Sequence, residues 1–354
     1  MRILHVITSL NIGGAERLMT ILLPELRALG NEVELLVFDR TKTAFSETLE
    51  KEGIKIHSLD SRNVYDFRNI VKLRKFIKKY DIIHTHNTAC QLFVPLAKIL
   101  KFGKKAKLIT TEHNTTNRRR NKRWMKPLDL WIYGKYLKII CIAESTEDNL
   151  ISHVGKRAKT IVIHNGIKIP NSLKISKVFE GDIIISMVAA FRPQKNQECL
   201  IKAMTLLPDR FKLRLIGDGE RREEIEQFVK SLGISERVEF LGNRSDVNEL
   251  LQQSHINVLS SHWEGLSLSS LECMASGIPL IASDVQGLKE IVGRYGVLFP
   301  DNDYKVLAEE ILRLTEDKMY YDSVSKKCRI RAREFDIHNT ALKYNEIYKE
   351  IEKS

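Results

Sequence analysis

The chain has 354 residues, of which 57 are lysine or arginine and 45 are aspartate or glutamate, so its formal net charge is +12. This length exceeds the usual size of a single domain and predicts two domains that share a cleft. No apolar run reaches the roughly 18 residues that would suggest a membrane span. The positive charge favours a polyanionic partner, such as nucleic acid, an anionic membrane surface or a phosphorylated substrate.

The five cysteines lie far apart and form neither C-x-x-C pairs nor combinations with histidine at metal-ligand spacing. This pattern is typical of reduced, mostly buried thiols. The N-terminal sequence MRILHVITSLNIGG reaches two glycines before the apolar region of a signal peptide could form. It therefore predicts a strand and a turn, and we expect a cytoplasmic chain.

The first half of the chain alternates between strand-like and helix-like segments. Residues 3–8 are an apolar strand, Gly13 and Gly14 form a turn, and apolar residues then recur at helical spacing as far as Leu26. Further alternation up to Ile142 predicts a parallel, doubly wound sheet. The glycine turn alone is weak evidence for a ligand, because the G-x-G-x-x-G fingerprint is incomplete.

Two predicted strands of this half end in histidine-containing sequences, HTHN at residues 84–87 and TEHN at residues 111–114. Open α/β sheets bind their ligands at the carboxyl ends of the strands. A single histidine at such a position is nevertheless more often structural than catalytic, and His84 and His86 are interpreted as partners of neighbouring loops.

The densest basic segment, NRRRNKRWMKP, covers residues 117–127. Five cations lead into a tryptophan there: Arg118, Arg119, Arg120, Lys122, Arg123 and then Trp124. Cations beside aromatic residues suit a segment that meets anionic lipid headgroups, with a solvated loop as the alternative. Nucleic-acid binding is not favoured, since no recognised nucleic-acid module accompanies the run.

The polar residues 168–181 predict a linker between a first domain of residues 1–167 and a second of residues 182–335. The second domain opens with a strand at residues 183–188, after which Arg192 and Lys195 introduce a helix. Turns at Gly217 and Asn243 follow two later strands. Beyond Gly287 the pattern predicts only helices, of which the last covers residues 336–354.

The segment EGLSLSSLE, residues 264–272, lies between a strand-like and a helical pattern. Its turn at Gly265 is thus predicted at a helix N-terminus, where free backbone N–H groups and the helix dipole attract a phosphate. Glu264 can accept hydrogen bonds from sugar hydroxyls, and Glu272 can reach a ribose diol. A structural role for Glu272 is the alternative, because Ser269-x-x-Glu272 is a capping-box pattern.

This E-x7-E pattern behind a buried strand, followed by MASGIPLIASDVQGLKEIV, resembles the nucleotide-sugar signature of the retaining glycosyltransferases of family 4. GGAER at residues 13–17, T-x-H at 111–113 and R-P-x-K-N at 192–196 are similar to further elements of that family. The resemblance covers almost the whole chain. It implies the GT-B fold, in which two doubly wound Rossmann-like domains face a cleft and the C-terminal helix packs back on the first domain.

The resemblance also implies a role for each matching residue. Glu264 would contact the donor sugar, Glu272 the ribose, and Arg192 with Lys195 the departing diphosphate, while His113 would lie beside the transferred sugar. The catalytic candidates are therefore His113, Arg192, Lys195 and Glu264. The donor-binding candidates all lie in or near turns that follow predicted strands: Gly13, Gly14, Arg192, Lys195, Gly217, Asn243, Glu264, Gly265, Leu266, Ser267 and Glu272.

Together these features predict a retaining glycosyltransferase that moves a sugar from a nucleotide diphosphate to a hydroxyl acceptor. A UDP-sugar is favoured over a GDP-sugar, and the expected acceptor is a lipid-linked saccharide in surface polysaccharide or glycan assembly. No metal or other cofactor is expected, because helix amides, Arg192 and Lys195 can stabilise the leaving charge. The alternatives are a GT-B nucleotide-sugar epimerase and a non-catalytic nucleotide or nucleic-acid binding protein. We expect a cytoplasmic protein that is peripheral on the inner face of the cell membrane.

Overall fold

A computed structural model describes residues 1–11, 13–39, 41–100, 106–114, 120, 123–155, 159–170, 179–244, 246–265 and 267–353. The chain divides into two compact units. Unit 1 comprises Met1–Gly166 and Ile337–Ser354, and unit 2 comprises Ile167–Asp336. Most of the predicted linker, residues 171–178, lies outside the described residues. In the described part of the chain no helix combines the length and apolarity needed to cross a membrane.

The strands follow one another along the chain in two series. Those of unit 1 are β1 (Arg2–Ile7), β2 (Glu32–Val37), β3 (Lys55–Ser58), β4 (Ile82–Thr85), β5 (Lys107–Glu112), β6 (Lys138–Cys141) and β7 (Thr160–Val162). Those of unit 2 are β8 (Ile183–Val188), β9 (Phe211–Ile216), β10 (Val238–Gly242), β11 (Ile256–Leu259), β12 (Leu280–Ser283) and β13 (Val297–Phe299).

Helices alternate with these strands. They are α1 (Gly14–Ala28), α2 (Ala44–Lys51), α3 (Arg68–Leu73), α4 (Thr88–Ile99), α5 (Lys126–Tyr133), α6 (Glu144–Val154), α7 (Gln197–Met204), α8 (Arg222–Ser231), α9 (Val247–Gln253), α10 (Leu268–Ala275), α11 (Lys289–Val292), α12 (Tyr304–Glu316), α13 (Lys318–Arg333) and α14 (Ile337–Lys353). Short 3₁₀ turns cover Arg123–Met125, Pro193–Lys195 and Ser235–Arg237.

Both sheets are parallel and doubly wound. Unit 1 has the strand order β3-β2-β1-β4-β5-β6-β7, and unit 2 has the order β10-β9-β8-β11-β12-β13. The direction of winding reverses between β1 and β4 in unit 1 and between β8 and β11 in unit 2. Such reversal points are where doubly wound sheets bind ligands. The predicted architecture of two Rossmann-like α/β units is confirmed.

The core of unit 1 follows from the periodicities of its sequence. Five of the six residues of β1 are buried, because helices cover both faces of the parallel sheet. The apolar stripe of α1 is also buried and comprises Leu18, Met19, Leu22, Leu23 and Leu26. The last helix, α14, belongs to the same core through Tyr344 and Tyr348, which are fully buried.

Of two further predictions from the sequence, the structure confirms the one about the cysteines and contradicts the one about the segment after Gly287. All five cysteines are buried and unpaired, as the sequence indicates. The prediction that only helices follow Gly287 is wrong, because β13 pairs with β12 at the edge of the unit 2 sheet. A strand of three residues is too short to show the alternation that marks a strand in a sequence.

Candidate functional site

The predicted donor-binding residues of unit 2 lie beyond the carboxyl ends of adjacent strands. Arg192 and Lys195 follow β8, Gly217 follows β9, and Asn243 follows β10, where it is exposed. Glu264, Gly265, Ser267 and Glu272 follow β11 or lie in α10, and Leu266 lies outside the described residues. The two strands that precede Lys195 and Glu264, β8 and β11, flank the reversal point of the sheet.

Lys195 and Glu264 form an ion pair at this point. Lys195 Nζ donates to Glu264 Oε1 at 2.5 Å, and Ser261 Oγ donates to the same oxygen at 2.8 Å. The side chains of Lys195 and Glu264 are only 18% and 7% exposed. Among the described residues Glu264 Oε2 has no protein partner, so this oxygen is available to a ligand hydroxyl. Lys195 uses one of its three donor hydrogens on Glu264 and can direct another to an anion.

Arg192 stands just before the 3₁₀ turn of Pro193–Lys195 and is exposed. Within the described part of the chain its guanidinium takes part in no ion pair or side-chain hydrogen bond. The loop itself is held in place, since Lys195 N donates to Arg192 O at 2.9 Å and Gln194 Nε2 donates to Trp263 O at 2.6 Å. A free, fixed-charge guanidinium above a rigid loop suits recognition of a diphosphate.

The N-terminus of α10 has a different cap from the predicted one. Ser267 is the N-cap, with extended backbone angles, and its Oγ accepts from Ser270 N at 3.3 Å. Ser269 therefore does not form the capping box with Glu272. Glu272 lies further into the helix and is 9% exposed. Of the first backbone N–H groups of α10, which have no acceptor within the helix, Ser270 N is the one that the Ser267 side chain caps.

Close backbone approach explains two glycines of this edge. Gly217 has a φ of 138°, and a Cβ there would lie 2.1 Å from Ala189 O. Gly287 has a φ of 89°, and a Cβ there would lie 2.2 Å from Glu264 O. The roles of Gly287 and Ser261 in supporting Glu264 are not predicted by the sequence. The signal available was weak: a glycine inside the quoted signature and a serine two residues beyond the end of β11.

In unit 1 the glycine turn follows β1, next to the reversal point of that sheet. Gly13 is the N-cap of α1, and Gly14 is its first residue. Glu16, in the first turn, hydrogen-bonds Asn87, the residue before α4. Burial of Glu16 raises the pKa of its carboxyl group. Residues after β1 and β4 are thus brought together at the carboxyl edge of this sheet.

His113 follows β5 at the same edge of unit 1. Its Nε2 lies 3.0 Å from His86 Nδ1, and its Nδ1 is buried without a hydrogen-bond partner in the described part of the chain. Burial lowers the pKa of His113 to about 4. The side chain is therefore neutral at physiological pH, with one nitrogen held by the protein and the other unpaired.

Three buried histidines near His113 form the one group of potential metal ligands found among the described residues: His5, His84 and His86. Their geometry is that of hydrogen bonding. His5 Nδ1 and His86 Nε2 are 2.8 Å apart, whereas two nitrogens on one tetrahedral zinc would be about 3.3 Å apart. Tyr348 and Thr111 hold the two ring nitrogens of His84. These residues do not fit a metal site.

The structure corrects part of the prediction for the basic segment, residues 117–127. Arg118, Arg119 and Lys122 lie outside the described residues, and the side chain of Arg123 is not described. Arg120 is not a surface cation, because it donates to Glu112 Oε2 at 2.6 Å and to Tyr133 at 3.1 Å, with 6% of its side chain exposed. Burial opposes the charged form of Arg120, but the charges of Glu112 and Tyr133 and the hydrogen bonds to them raise its pKa overall. Trp124 is 75% exposed, as an interfacial role requires.

Comparison with known families identifies both units. The family described as Glycosyl transferases group 1 matches residues 168–335, and Glycosyltransferase Family 4 matches residues 12–169. The chain belongs to the family 4, group 1 glycosyltransferases. It is therefore a glycosyltransferase with the GT-B fold.

Relatives of this glycosyltransferase include enzymes that act on lipid-linked saccharides. One is the UDP-Gal:alpha-D-GlcNAc-diphosphoundecaprenol alpha-1,3-galactosyltransferase of Escherichia coli, 26% identical over 75% of this chain and 74% of the relative. Another is a GalNAc-alpha-(1->4)-GalNAc-alpha-(1->3)-diNAcBac-PP-undecaprenol alpha-1,4-N-acetyl-D-galactosaminyltransferase of Campylobacter jejuni, 25% identical over 99% of both chains.

Solved structures show the same fold. Anabaena HepE, in complex with UDP-glucose, has a TM-score of 0.84 and 20% identity, over 99% of this chain and 100% of HepE. The sucrose-phosphate synthase of Thermosynechococcus elongatus has a TM-score of 0.80 and 20% identity, over 99% of this chain and 98% of the other.

Proposed function

We propose that this glycosyltransferase transfers a sugar with retention of anomeric configuration from a UDP-sugar to a lipid-linked saccharide in surface polysaccharide or glycan assembly. The observation that carries the proposal is the ion pair of Lys195 and Glu264 at the reversal point of the unit 2 sheet. The names of the Escherichia coli and Campylobacter jejuni relatives support a lipid-linked acceptor, and the name of the former supports a UDP-sugar. A GDP-sugar is the alternative donor.

The proposed donor site separates two tasks. Arg192 and Lys195 neutralise the diphosphate, helped by the N–H groups at the start of α10, because fixed positive groups stabilise the charge that develops on a leaving group. Glu264 Oε2 accepts hydrogen bonds from the sugar. Two observations support this proposal: Ser261 Oγ donates to Glu264, and the 3₁₀ turn fixes the backbone between Arg192 and Lys195.

Retention is proposed to occur by front-face displacement assisted by the leaving phosphate. A double-displacement route needs a carboxylate free to act as a nucleophile. Glu264 is engaged by both Lys195 and Ser261 through Oε1, which lowers its nucleophilicity and fits a binding role. His113, from unit 1, is proposed to lie beside the transferred sugar.

The experiment that tests this function is incubation of the full chain with UDP- and GDP-sugars and an undecaprenyl-diphosphate-linked saccharide. We expect release of UDP and a product whose new glycosidic bond has the anomeric configuration of the donor, as read by NMR. An inverted product would refute retention. If only the GDP-sugars release their nucleoside diphosphate, the donor is a GDP-sugar and not the proposed UDP-sugar.

Turnover in this assay should survive exhaustive chelation with EDTA. The reason is that Arg192, Lys195 and the α10 amides supply the positive charge that a divalent cation would otherwise supply. Initial rates before and after chelation should agree within about twofold. Complete loss of activity that manganese or magnesium restores would show that the enzyme depends on a metal.

The two glutamates should differ in what they bind. Glu264→Ala should weaken use of the nucleotide sugar but leave the affinity for free UDP unchanged, since UDP lacks the sugar. Glu272→Ala should weaken binding of UDP itself by roughly tenfold, the loss expected for a hydrogen bond to a charged group. Calorimetric titration measures both affinities, and the exposed Glu249→Ala in α9 is the matched control.

If Glu272→Ala binds UDP normally but has a much lower melting temperature, Glu272 is a structural residue of α10. If Glu264→Ala loses affinity for free UDP, its assignment to the sugar is wrong.

We also propose that unit 1 docks on an anionic membrane to reach its acceptor, as a peripheral protein on the cytoplasmic side. The motivation is the basic segment that leads into the exposed Trp124, together with Leu130 of α5, which is 45% exposed. Each cation near an anionic surface contributes about 1 kcal/mol, and salt screens this attraction. Arg120 takes no part, because its charge is already paired with Glu112.

Co-sedimentation with vesicles should therefore show binding to anionic lipid that fades as salt rises. Serine at the four remaining cations, Arg118, Arg119, Lys122 and Arg123, should abolish most of the binding. The matched control replaces four exposed lysines of unit 1 elsewhere: Lys42, Lys51, Lys343 and Lys349. Equal loss in both variants would assign the effect to net charge alone, and no preference for anionic lipid would refute docking.

A further inference from the structure

A chain of buried side chains connected by hydrogen bonds begins at His113 and runs into the core of unit 1. His113 Nε2 lies 3.0 Å from His86 Nδ1, and His86 Nε2 lies 2.8 Å from His5 Nδ1. The ring planes of His5 and His86 are within 11° of each other, with centroids 5.1 Å apart. This is the geometry of an in-plane N–H···N hydrogen bond between His86 and His5, so His113 is linked to β1 through His86.

The chain continues through the C-terminal helix. His5 Nε2 lies 3.3 Å from the hydroxyl of Tyr348, which lies 2.7 Å from His84 Nδ1. His84 Nε2 lies 2.8 Å from Thr111 Oγ1, which is 3.3 Å from the hydroxyl of Tyr344. All five of these side chains are fully buried. The hydroxyl of Tyr344 has no other partner among the described residues, so the chain ends there.

The hydrogen bonds of this chain run in one direction, because a hydroxyl of Thr111 or Tyr348 that accepted from both of its neighbours would leave its own buried O–H without an acceptor among the described residues. Burial keeps the pKa values of the four imidazoles well below their usual range, so each ring is neutral at physiological pH. A neutral imidazole has one N–H donor and one acceptor nitrogen. If a ring accepts on one side it must donate on the other, and the choice made at one end is passed to the other end.

The hydroxyl of Tyr344 decides between the two directions. In the first, Tyr344 donates to Thr111, every group donates onward, His86 Nδ1–H donates to His113 Nε2, and His113 carries its proton on Nδ1. In the second, all bonds are reversed, and the O–H of Tyr344 points into the apolar core without an acceptor. A buried donor without an acceptor is costly, and the described part of the core offers the Tyr344 hydroxyl no other acceptor. The first direction also leaves one buried donor, His113 Nδ1–H, but this donor lies at the carboxyl edge of the sheet, where a ligand oxygen can accept from it.

We propose that this chain fixes His113 as the Nδ1–H tautomer and makes it a hydrogen-bond donor toward the substrate. His86, His5, Tyr348, His84, Thr111 and Tyr344 are then positioning residues, although none of them touches the substrate. The unpaired Nδ1 of His113 supports the proposal. Of the ring nitrogens of the four histidines, it is the one that forms no hydrogen bond within this hydrogen-bonded chain, so it remains for a ligand. Donation to an oxygen of the transferred sugar rests on the proposed function, whereas the tautomer does not.

The tautomer can be read directly. Long-range ¹H–¹⁵N correlation spectra of the full chain with ¹⁵N-labelled histidine, at neutral pH and without substrate, should show the Nδ1–H pattern for His5, His84, His86 and His113. His255 is an internal reference for the opposite pattern, because Ile184 N donates to its Nδ1 at 2.9 Å. The His113→Gln variant identifies the His113 signal. An Nε2–H pattern at His113 in the wild-type chain would overturn the proposal.

The second measurement uses a variant that lacks the hydroxyl of Tyr344. In Tyr344→Phe the direction is no longer fixed, so His113 should become a mixture of tautomers and kcat should fall about two- to tenfold, the range of one net hydrogen bond. KM for the donor should change by less than about twofold. The control is Tyr80→Phe. It removes another tyrosine hydroxyl of unit 1, which donates to Glu34 and is not part of this hydrogen-bonded chain.

The remaining outcomes separate this proposal from the proposed function. If His113 remains entirely Nδ1–H in Tyr344→Phe, the hydroxyl does not set the direction and the proposal fails. If no nucleotide sugar is turned over while the four Nδ1–H patterns are present, the proposed function fails and the tautomer stands. The wild-type spectrum needs no variant, so a variant that does not fold leaves this test intact.

Discussion

Replacement of Lys195 by alanine should lower kcat by about two to three orders of magnitude, the loss typical of one preorganised group that stabilises developing charge. Lys195 lies 2.5 Å from Glu264 and is mostly buried, so its ammonium group is held in place before the donor binds. An interaction that strengthens as the diphosphate departs acts on kcat more than on KM. Steady-state kinetics with a saturating acceptor measures both parameters.

Two controls separate this effect from a general loss of structure. Lys230→Ala removes an exposed lysine of α8 and should leave kcat unchanged. Lys195→Arg retains the charge with a different geometry and should recover part of the loss. The Lys195→Ala variant should melt below the wild type, because only Ser261 then remains as a partner of the buried Glu264 carboxylate, and kcat is therefore measured at a temperature where the variant is fully folded. Wild-type turnover in Lys195→Ala would remove Lys195 from the mechanism.

The fold and the unit 2 candidates were predictable because their signals are local. Alternation of apolar strands and amphipathic helices specifies a parallel sheet, and a parallel sheet places every strand end at one edge. Lys195 and Glu264 are 69 residues apart, yet each follows a strand, so their proximity follows from the topology once the sheet is assumed.

The buried chain behind His113 was not predictable in this way. Tyr348 and His5 are 343 residues apart, and their contact depends on how α14 packs against β1, which no periodicity specifies. His84 and His86 were assigned only a role beside loops. The fold shows instead that their side chains face into the core of unit 1.

The burial of Arg120 was not predictable from the sequence either. Because Arg120 lies within a run of five cations, the sequence predicts that it is a surface residue. It is buried because Glu112 and Tyr133 provide acceptors at 2.6 and 3.1 Å, and a buried charge requires such partners. Similarly, the capping-box pattern in the sequence selects Ser269 as the cap of α10, whereas the N-cap is Ser267. The backbone angles of Ser267 decide the matter.

The four buried imidazoles of unit 1 should make the stability of the protein steeply dependent on pH. In the folded state burial lowers the pKa of His5 to about 3 and that of His113 to about 4, and it holds those of His84 and His86 well below 6.5. In the unfolded chain all four recover a pKa of about 6.5. At pH values between the folded and the unfolded pKa, the unfolded state binds more protons than the folded state. The free energy of unfolding therefore increases with pH, and it decreases as the pH falls below 6.5.

The expected loss is large. Each imidazole contributes about 1.4 kcal/mol per pH unit below its unfolded pKa, so four together give roughly 5 kcal/mol between pH 7.5 and 5.5. Paired carboxylates such as Glu34 have lowered pKa values and act only at more acidic pH, which leaves this window to the histidines. Glu16 opposes the trend slightly, since burial raises its pKa.

Urea unfolding followed by circular dichroism at half-unit steps from pH 7.5 to 5.5 measures the slope. His5→Gln removes one titrating group and should reduce the slope by about one quarter. The midpoint of unfolding in wild type should move to lower urea concentration as pH falls, because protonation of the unfolded chain draws the equilibrium toward it. A free energy of unfolding that stays constant over this window would mean that these imidazoles accept protons within the fold, and the neutral, one-directional chain could not then persist below pH 6.5.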